Sequence, residues 1–215
     1  MKNHGSERNY RLRHRYGITE AEADRMHAEQ GGLCAICREG EAEHVDHCHE
    51  TGRVRGLLCF NCNNGLGHFR DDLRVMDLAV LYLLGQVPWP EGDLEPCSAP
   101  RREPAPTRSY HLTGRYRITA ADADRMLDRQ KGWCVVCWMR PAEHVDHDHD
   151  TGGVRHALCL PCNSGLGQFR DSARVVEAAI HYLREAWGET TDEEEIARLA
   201  AAEDEAWRGL LEAVS

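Results

Sequence analysis

Apolar residues along the chain follow a helical period in some stretches and a strand-like period in others. The first helical stretch begins at Thr19, where Glu22 completes a capping box, and it ends before Gly31. Residues 44–49 then alternate as a strand does, and residues 54–58 predict the returning strand of a hairpin. Helices beside a short antiparallel pair of strands predict an α+β fold.

Two helices are expected after the hairpin. Residues 63–69 are a candidate for a short helix, and Asp72 begins a longer one that ends at Gly85. The apolar positions of the longer helix recur every three or four residues, which predicts one buried face. They are Val75, Met76, Ala79, Val80, Leu83 and Leu84.

The whole pattern occurs twice, with an offset of 100 residues. We therefore predict two domains, residues 1–85 and 109–187, joined by a linker at 86–108 that contains six of the eight prolines. An acidic segment at 188–215 predicts a C-terminal helix that docks on its own domain or on a protein partner. Domains of this size have small cores, so a bound metal would add stability that burial alone does not supply.

The formal net charge is −10, which is unusual for a protein that binds nucleic acid. Residues 186–215 hold 2 Lys/Arg against 9 Asp/Glu, so much of the acidity lies in the last segment. Residues 1–15 are basic and form either an arm that contacts phosphates or a frayed terminus. The chain has no run of 18 apolar residues and no signal-peptide pattern, so we expect a cytoplasmic protein without a membrane span.

Eight of the ten cysteines form four C-x-x-C pairs, two pairs in each repeat with 21 residues between them. Four thiolates bind Zn²⁺ tetrahedrally and close the site to water, which predicts one structural zinc per repeat in a reducing compartment. Disulfides or unligated buried thiols are the alternatives. The predicted zinc ligands are Cys34, Cys37, Cys59, Cys62, Cys134, Cys137, Cys159 and Cys162. The other two cysteines, Cys48 and Cys97, have no counterpart in the other repeat.

An Asp-His-x-His cluster lies between the cysteine pairs of each repeat. Asp46 offers a hard carboxylate oxygen for Mg²⁺ or Mn²⁺, and Asn63 offers a neutral oxygen directly after a cysteine ligand. His47 titrates near neutral pH and can accept a proton from water. Phosphodiester hydrolysis needs such a cation and such a base. Strand alternation directs Asp46 and His47 to opposite faces, so a shared site requires the strand to bend.

Three motifs occur together and in order in both repeats. In the first repeat they are the Cys34-x-x-Cys37 pair, the run from Val45 to Cys59 with its Asp-His-x-His and Thr-Gly, and Cys62-Asn63. They resemble the recombination endonuclease VII family of His-Me finger (HNH-like) nucleases. The resemblance covers about residues 16–84 and 116–183, and it implies two tandem zinc-stapled ββα-metal modules, each flanked by helices.

The resemblance also implies a role for each residue of the cluster. Asp46 and Asn63 would bind the catalytic Mg²⁺, His47 would be the general base, and His49 would contact the scissile phosphate. In the second repeat the same roles fall to Asp146, Asn163, His147 and His149.

The two repeats differ at a few positions inside the resemblance. Cys48 stands where the second repeat has Asp148, the commoner residue of the family pattern, and Gly56 stands where it has His156. None of these differences removes a proposed catalytic group. Four arginines near the clusters are candidates for contact with DNA phosphates, with surface ion pairing as the alternative. They are Arg55, Arg70, Arg155 and Arg170.

From these features we expect a metal-dependent DNA endonuclease, with branched DNA such as a Holliday junction among its substrates. The products implied by the resemblance carry a 5′-phosphate and a 3′-hydroxyl. Two sites in one chain would act as a pseudo-dimer that cuts both strands, as a monomer or within a homodimer. The alternatives are a zinc ribbon that binds nucleic acid or protein without hydrolysis, and a protein in which one repeat cuts while the other only clamps DNA.

Overall fold

A computed structural model describes residues 6–87, 89–90, 94–99 and 108–188, with the side chains of residues 108–111 excepted. It confirms an α+β protein of two repeated units. The elements in chain order are α1 Glu7–Tyr16, α2 Glu20–Glu29, β1 His44–His47, β2 Val54–Leu58, α3 Phe60–Phe69, α4 Leu73–Leu83, α5 Arg108–Tyr116, α6 Ala120–Arg129, β3 His144–His147, β4 Val154–Leu158, α7 Leu160–Gln168 and α8 Ala173–Trp187. The predicted acidic helix and most of the predicted linker lie outside the described residues.

Over its described residues the basic N-terminal segment is a helix, α1, and not a frayed end, and its contact with phosphates stays a prediction. Ser6 caps it by accepting a hydrogen bond from the Asn9 amide, and Gly17 ends it in the left-handed conformation at φ 72°. Arg8 pairs with Glu20 at 3.1 Å and with Asp24, which fastens α1 to α2. The expected Thr19 capping box opens α2.

Each repeat has a two-stranded antiparallel hairpin with a bulge. Asp46 lies opposite Gly56 and His47 lies opposite Val54, so Arg55 is an extra residue on β2. The β3–β4 hairpin has the same irregularity before His147. A bulge bends the strand and increases its twist. The irregularity falls between Asp46 and His47, where a shared site would require the strand to bend.

The helices that follow each hairpin pack across the two repeats. α3 lies against α7, and α4 lies against α8. The Phe69 and Phe169 rings stack at 6.0 Å between centroids, almost parallel at 6°. Fully buried side chains from both repeats form one contiguous hydrophobic core. They include Leu58, Leu66, Met76, Leu158, Leu166 and Leu183.

The described part of the linker region lies on the second repeat. The Trp89 ring lies 5.4 Å from that of Trp138, and the Trp133 indole donates a hydrogen bond to the Glu95 carbonyl at 2.8 Å. The Cys97 amide donates to the Lys131 carbonyl at 2.9 Å. Within the residues that are described, no helix is long and apolar enough to cross a bilayer.

Gly65 and Gly165 allow the close approach of α3 and α7. A Cβ at Gly65 would lie 2.6 Å from the Phe169 ring, and one at Gly165 would lie 2.7 Å from Phe69. Gly67, one helical half-turn further along α3, has no heavy atom within 4 Å of its Cβ position. The tight contact therefore belongs to one face of the helix.

We predict that Gly65→Ala destabilises the protein and that Gly67→Ala does not. Overpacking a tight core costs about 1–3 kcal/mol, whereas alanine in a free helical position gains up to about 1 kcal/mol over glycine. Denaturant unfolding in excess zinc measures both variants. Equal unfolding free energies for the two variants would show that the α3–α7 contact is looser than described.

Candidate functional site

Each repeat gathers its four predicted zinc ligands into one cluster. Cys34, Cys37, Cys59 and Cys62 have their sulfur atoms within 4.8 Å of one another, and so do the four cysteines of the second repeat. The cysteines are free thiols, so the disulfide alternative is not what the structure contains. Buried sulfur donors at this separation suit a tetrahedral metal such as Zn²⁺. The two clusters can therefore hold two structural zinc ions.

The close sulfur atoms of each cluster shift one another's pKa. Hydrogen bonding with Cys62 lowers the pKa of Cys34 to about 4, and the same interaction raises the pKa of Cys62. In the second cluster, hydrogen bonding with Cys134 lowers the pKa of Cys137 while that of Cys134 rises. One thiolate forms at the expense of its neighbours, and a bound cation removes this conflict.

Asp46 and Asp146 are buried at the bulges, 5% and 4% exposed. Arg55 donates to both carboxylate oxygens of Asp46, from Nε at 2.6 Å and from Nη2 at 2.8 Å. Arg155 makes the same fork on Asp146, at 2.6 and 3.1 Å. Arg55, the extra residue of β2 at the bulge, is thus the ion-pair partner of Asp46 on the facing strand.

Asp71 and Asp171 complete these clusters, and the sequence analysis did not identify them. Asp71 accepts from Arg55 at 2.8 Å, and Asp171 accepts from Arg155 at 2.9 Å. Both acids have left-handed backbone, at φ 55° and 52°, a conformation that costs a non-glycine residue about 1–2 kcal/mol. The dipeptide Arg70-Asp71 recurs as Arg170-Asp171, and this repetition is the sequence signal that could have identified the two acids.

Each Asp–Arg–Asp group keeps an excess negative charge. Two carboxylates share one guanidinium in the first repeat, Asp46 and Asp71 with Arg55, and the second repeat matches it. Asp171 Oδ1 is buried without a hydrogen-bond partner in the described residues. Carboxylate oxygens with unused capacity and net negative charge fit a hard divalent cation.

The histidines of the predicted sites lie beside the buried acids. His47 and His49 have ring centroids 5.1 Å apart, and His147 and His149 have theirs 4.7 Å apart. Each first histidine also meets a tyrosine edge to face, Tyr16 at 5.3 Å in the first repeat. In the second repeat His149 Nδ1 lies 2.8 Å from an Asp171 oxygen. His47 and His147 are half-buried, and His49 and His149 are exposed, so water can reach all four imidazoles.

Asn63 and Asn163 lie in the first turns of α3 and α7. Their backbone amides donate hydrogen bonds to the Cys59 and Cys159 carbonyls, at 3.1 and 3.0 Å. α3 contacts β1, and α7 contacts β3, so each asparagine is on the helix that covers its own hairpin. Its role as a metal ligand stays a prediction.

Two tyrosines reach the buried acids from the opposite repeat. Tyr82 of α4 donates to Asp146 Oδ2 at 2.6 Å, and Tyr182 of α8 donates to Asp46 Oδ2 at 2.8 Å. Burial, with the adjacent carboxylate, raises the pKa of both hydroxyls. Both groups therefore remain protonated donors at neutral pH. The sequence analysis named the apolar neighbours of Tyr82 on α4 but missed the tyrosine itself.

The four candidate DNA-contacting arginines fall into two classes. The Arg55 side chain is 2% exposed and the Arg155 side chain 18% exposed, and both are engaged by acids, so this geometry gives no support to a phosphate contact. Arg70 and Arg170 are exposed, and Arg170 pairs with Glu39 of the first repeat at 2.9 Å. Contact with DNA by the exposed pair stays a prediction.

Asp148 has a role in the turn of its hairpin. Its carboxylate accepts from the Thr151 amide at 2.7 Å and from the Thr151 hydroxyl at 2.8 Å. These bonds lower the pKa of Asp148. In the first repeat Cys48 stands at this position, and hydrogen bonding with Thr51 lowers the pKa of its thiol in the same way.

Each repeat combines a cysteine cluster with a hairpin that bears paired histidines and a buried acid. The protein therefore consists of duplicated α+β units, each with a candidate metal site. The chain belongs to the recombination endonuclease VII family, which it matches twice, over residues 9–85 and 109–185. It is similar to the Gene 59 proteins of two Mycobacterium phages. The identity is 45% over 74 residues for phage L5 and 44% over 73 residues for phage D29.

The similarity to the phage proteins is partial. It covers 32% of this chain in both cases, and 45% and 44% of the two phage proteins, so the chain spans less than half of their length. No solved structure matches the chain.

We predict that the chain binds two zinc ions and that Cys34→Ser binds one. A missing thiolate opens the tetrahedral site of the first cluster and leaves the second intact. Metal analysis after dialysis against a weak chelator gives the stoichiometry. Cys48→Ser, a thiol outside both clusters, is the matched control and keeps two zinc ions. Two zinc ions in both variants would contradict the assignment of Cys34.

We predict that Arg55→Ala lowers the free energy of unfolding by about 3–5 kcal/mol, because it leaves a buried carboxylate without its charge partner. Arg70→Ala, at an exposed position, changes it by less than about 0.5 kcal/mol. Denaturant unfolding with zinc present measures both. A stable Arg55→Ala protein with weakened DNA affinity would instead favour a phosphate contact.

Proposed function

We propose that the protein is a metal-dependent DNA endonuclease with two sites, one in each repeat. The observation that carries the proposal is the duplicated cluster of two histidines beside a buried, negatively charged Asp–Arg–Asp group, in a chain that belongs to a family of recombination endonucleases. Each repeat retains every group that the proposed chemistry requires.

The metal proposed for each site is Mg²⁺ or Mn²⁺, held by Asp46 and Asn63 in the first repeat and by Asp146 and Asn163 in the second. When bound, it supplies positive charge that stabilises the phosphate and the leaving oxygen. This chain's own residues supply the rest. Each site in this proposal is of the ββα-metal, or His-Me finger, type.

His47 is the proposed general base of the first site. Its imidazole, which water can reach, would take the proton from the attacking water. His49, whose ring centroid lies 5.1 Å from that of His47, is the proposed contact to the scissile phosphate. His147 and His149 take these roles in the second repeat, where Asp171 holds His149.

The two sites are proposed to cut the two strands of one DNA molecule, so that a single chain acts as a pseudo-dimer. Packing of α3 on α7 and of α4 on α8 supports this arrangement, because it fixes the sites relative to each other. Branched DNA, including the four-way junction, is the proposed substrate class. Fixed sites suit a substrate whose two target strands are held at a set separation.

We predict that His47→Ala and His147→Ala each leave one active site, while the double variant is inactive. Loss of a general base lowers the rate about 10²–10⁴-fold at that site. Supercoiled plasmid and a four-way junction labelled on each strand, with and without Mg²⁺, provide the assay. Each single variant nicks one strand, whereas the unaltered chain cuts both.

His44→Ala is the matched control, because His44 lies on the same strand but outside the proposed site, and it should cut both strands. One single variant that matches the unaltered chain would show that only the other repeat cuts. A zinc-loaded chain that cuts no DNA in any of these assays would contradict the proposal and favour a binding ribbon.

A further inference from the structure

Each buried acid is held by donors from both halves of the chain. Asp46 accepts two hydrogen bonds from Arg55 of its own repeat and one from Tyr182 of the other. Asp146 accepts two from Arg155 and one from Tyr82. A carboxylate has about four acceptor positions, so three are filled and capacity for about one more partner remains.

The tyrosines are fixed by the packing between repeats. Tyr82 and Tyr182 are 2% and 9% exposed, and both belong to the shared hydrophobic core, on helices α4 and α8 that pack together. The ring of Tyr182 covers Gly56, where a Cβ would lie 3.0 Å from its hydroxyl oxygen. In the second repeat Arg155 lies over the Tyr82 ring at 5.5 Å. Neither hydroxyl can turn away without disturbing the shared core.

We infer that Tyr182 is a positioning residue of the first site and Tyr82 a positioning residue of the second, so that each site is completed by the other repeat. The inference rests on the proposed function, and it goes further because it makes the sites interdependent. A bidentate guanidinium fixes the plane of the carboxylate. The tyrosine holds Oδ2 and leaves the remaining capacity of Oδ1 for a divalent cation.

The consequence is a crossed dependence. Substitution of Tyr182, which belongs to the second repeat, should impair the first site, and substitution of Tyr82 should impair the second. A tyrosine that only stabilised its own repeat would give the opposite pattern. One that only stabilised the shared core would weaken both sites together.

Backgrounds with a single site measure this dependence. His147→Ala leaves the first site and His47→Ala leaves the second, and Tyr182→Phe is introduced into each. Loss of a hydrogen bond to a charged group corresponds to about a tenfold or greater fall in rate. We expect that fall in kcat in the His147→Ala background, and a change of less than about twofold in the His47→Ala background. Tyr82→Phe should give the mirror image.

Metal binding without DNA gives an independent readout. Mn²⁺ broadens the ring resonances of nearby histidines, and His47→Ala and His147→Ala assign those resonances to the two repeats. In Tyr182→Phe, the Mn²⁺ concentration that half-broadens the His47 and His49 signals should rise several-fold. That for His147 and His149 should not change. Zinc content and the denaturant midpoint of each variant report whether the fold is intact.

Two results would overturn the inference. One is a loss of rate or Mn²⁺ affinity in Tyr182→Phe that falls on the second repeat, or equally on both. The other is no change at either site. If neither single-site background cuts DNA, the proposed nuclease function fails and the Mn²⁺ titration decides alone. Unchanged Mn²⁺ affinity at both sites would then reject the positioning role.

Discussion

The packing of the final helices of one repeat against those of the other is the interaction on which both sites depend. The α3–α7 and α4–α8 contacts join the buried residues of both repeats in one core. A unit of about eighty residues has little core of its own, and here the two units combine their cores. The same contacts carry Tyr82 and Tyr182 to the acids of the opposite repeat. Stability and site geometry thus have a common origin.

Charge is the second constraint. A buried carboxylate is tolerated only when it is paired and hydrogen-bonded, and the bulged strand supplies Arg55 where Asp46 turns inward. Because Asp71 shares that guanidinium, the pairing is incomplete and negative charge remains. The ion pair with Arg55 holds the Asp71 carboxylate in place. These features together make the hairpin suited to a cation, although the overall acidity of the chain is no guide to it.

Spacing and periodicity in the sequence predict the local elements well. The two cysteine clusters, the Thr19 capping box and the strand at 54–58 follow from short-range patterns, and all are present. Helix α3 begins at Phe60, three residues before the predicted start, because Cys59, a member of the cysteine cluster, is also the N-cap that accepts a hydrogen bond from the Cys62 backbone amide. Such double use is not visible in spacing alone.

Contacts between the repeats could not be predicted, because nothing in the pattern of one repeat reports its orientation on the other. The helical pattern of α4 does not distinguish Tyr82 from its apolar neighbours, and the position of Arg55 on the returning strand does not show that Asp46 and Asp71 engage it. Both residues recur at the 100-residue offset. A polar residue that recurs in both repeats, on an apolar helix face or within a hairpin, is therefore the sequence signal for a buried polar contact.

The covalent joining of the two repeats has a consequence for how the protein can diverge. In a symmetric assembly of identical chains every substitution is expressed in both halves, so a change must suit both environments. Here Gly56 lies beneath Tyr182, whereas its counterpart His156 packs edge to face against Tyr82 at 5.8 Å. Each half can acquire its own residue at the same structural position. A fused pair is therefore free to give its two halves different environments at the same structural position, which an assembly of identical subunits cannot encode.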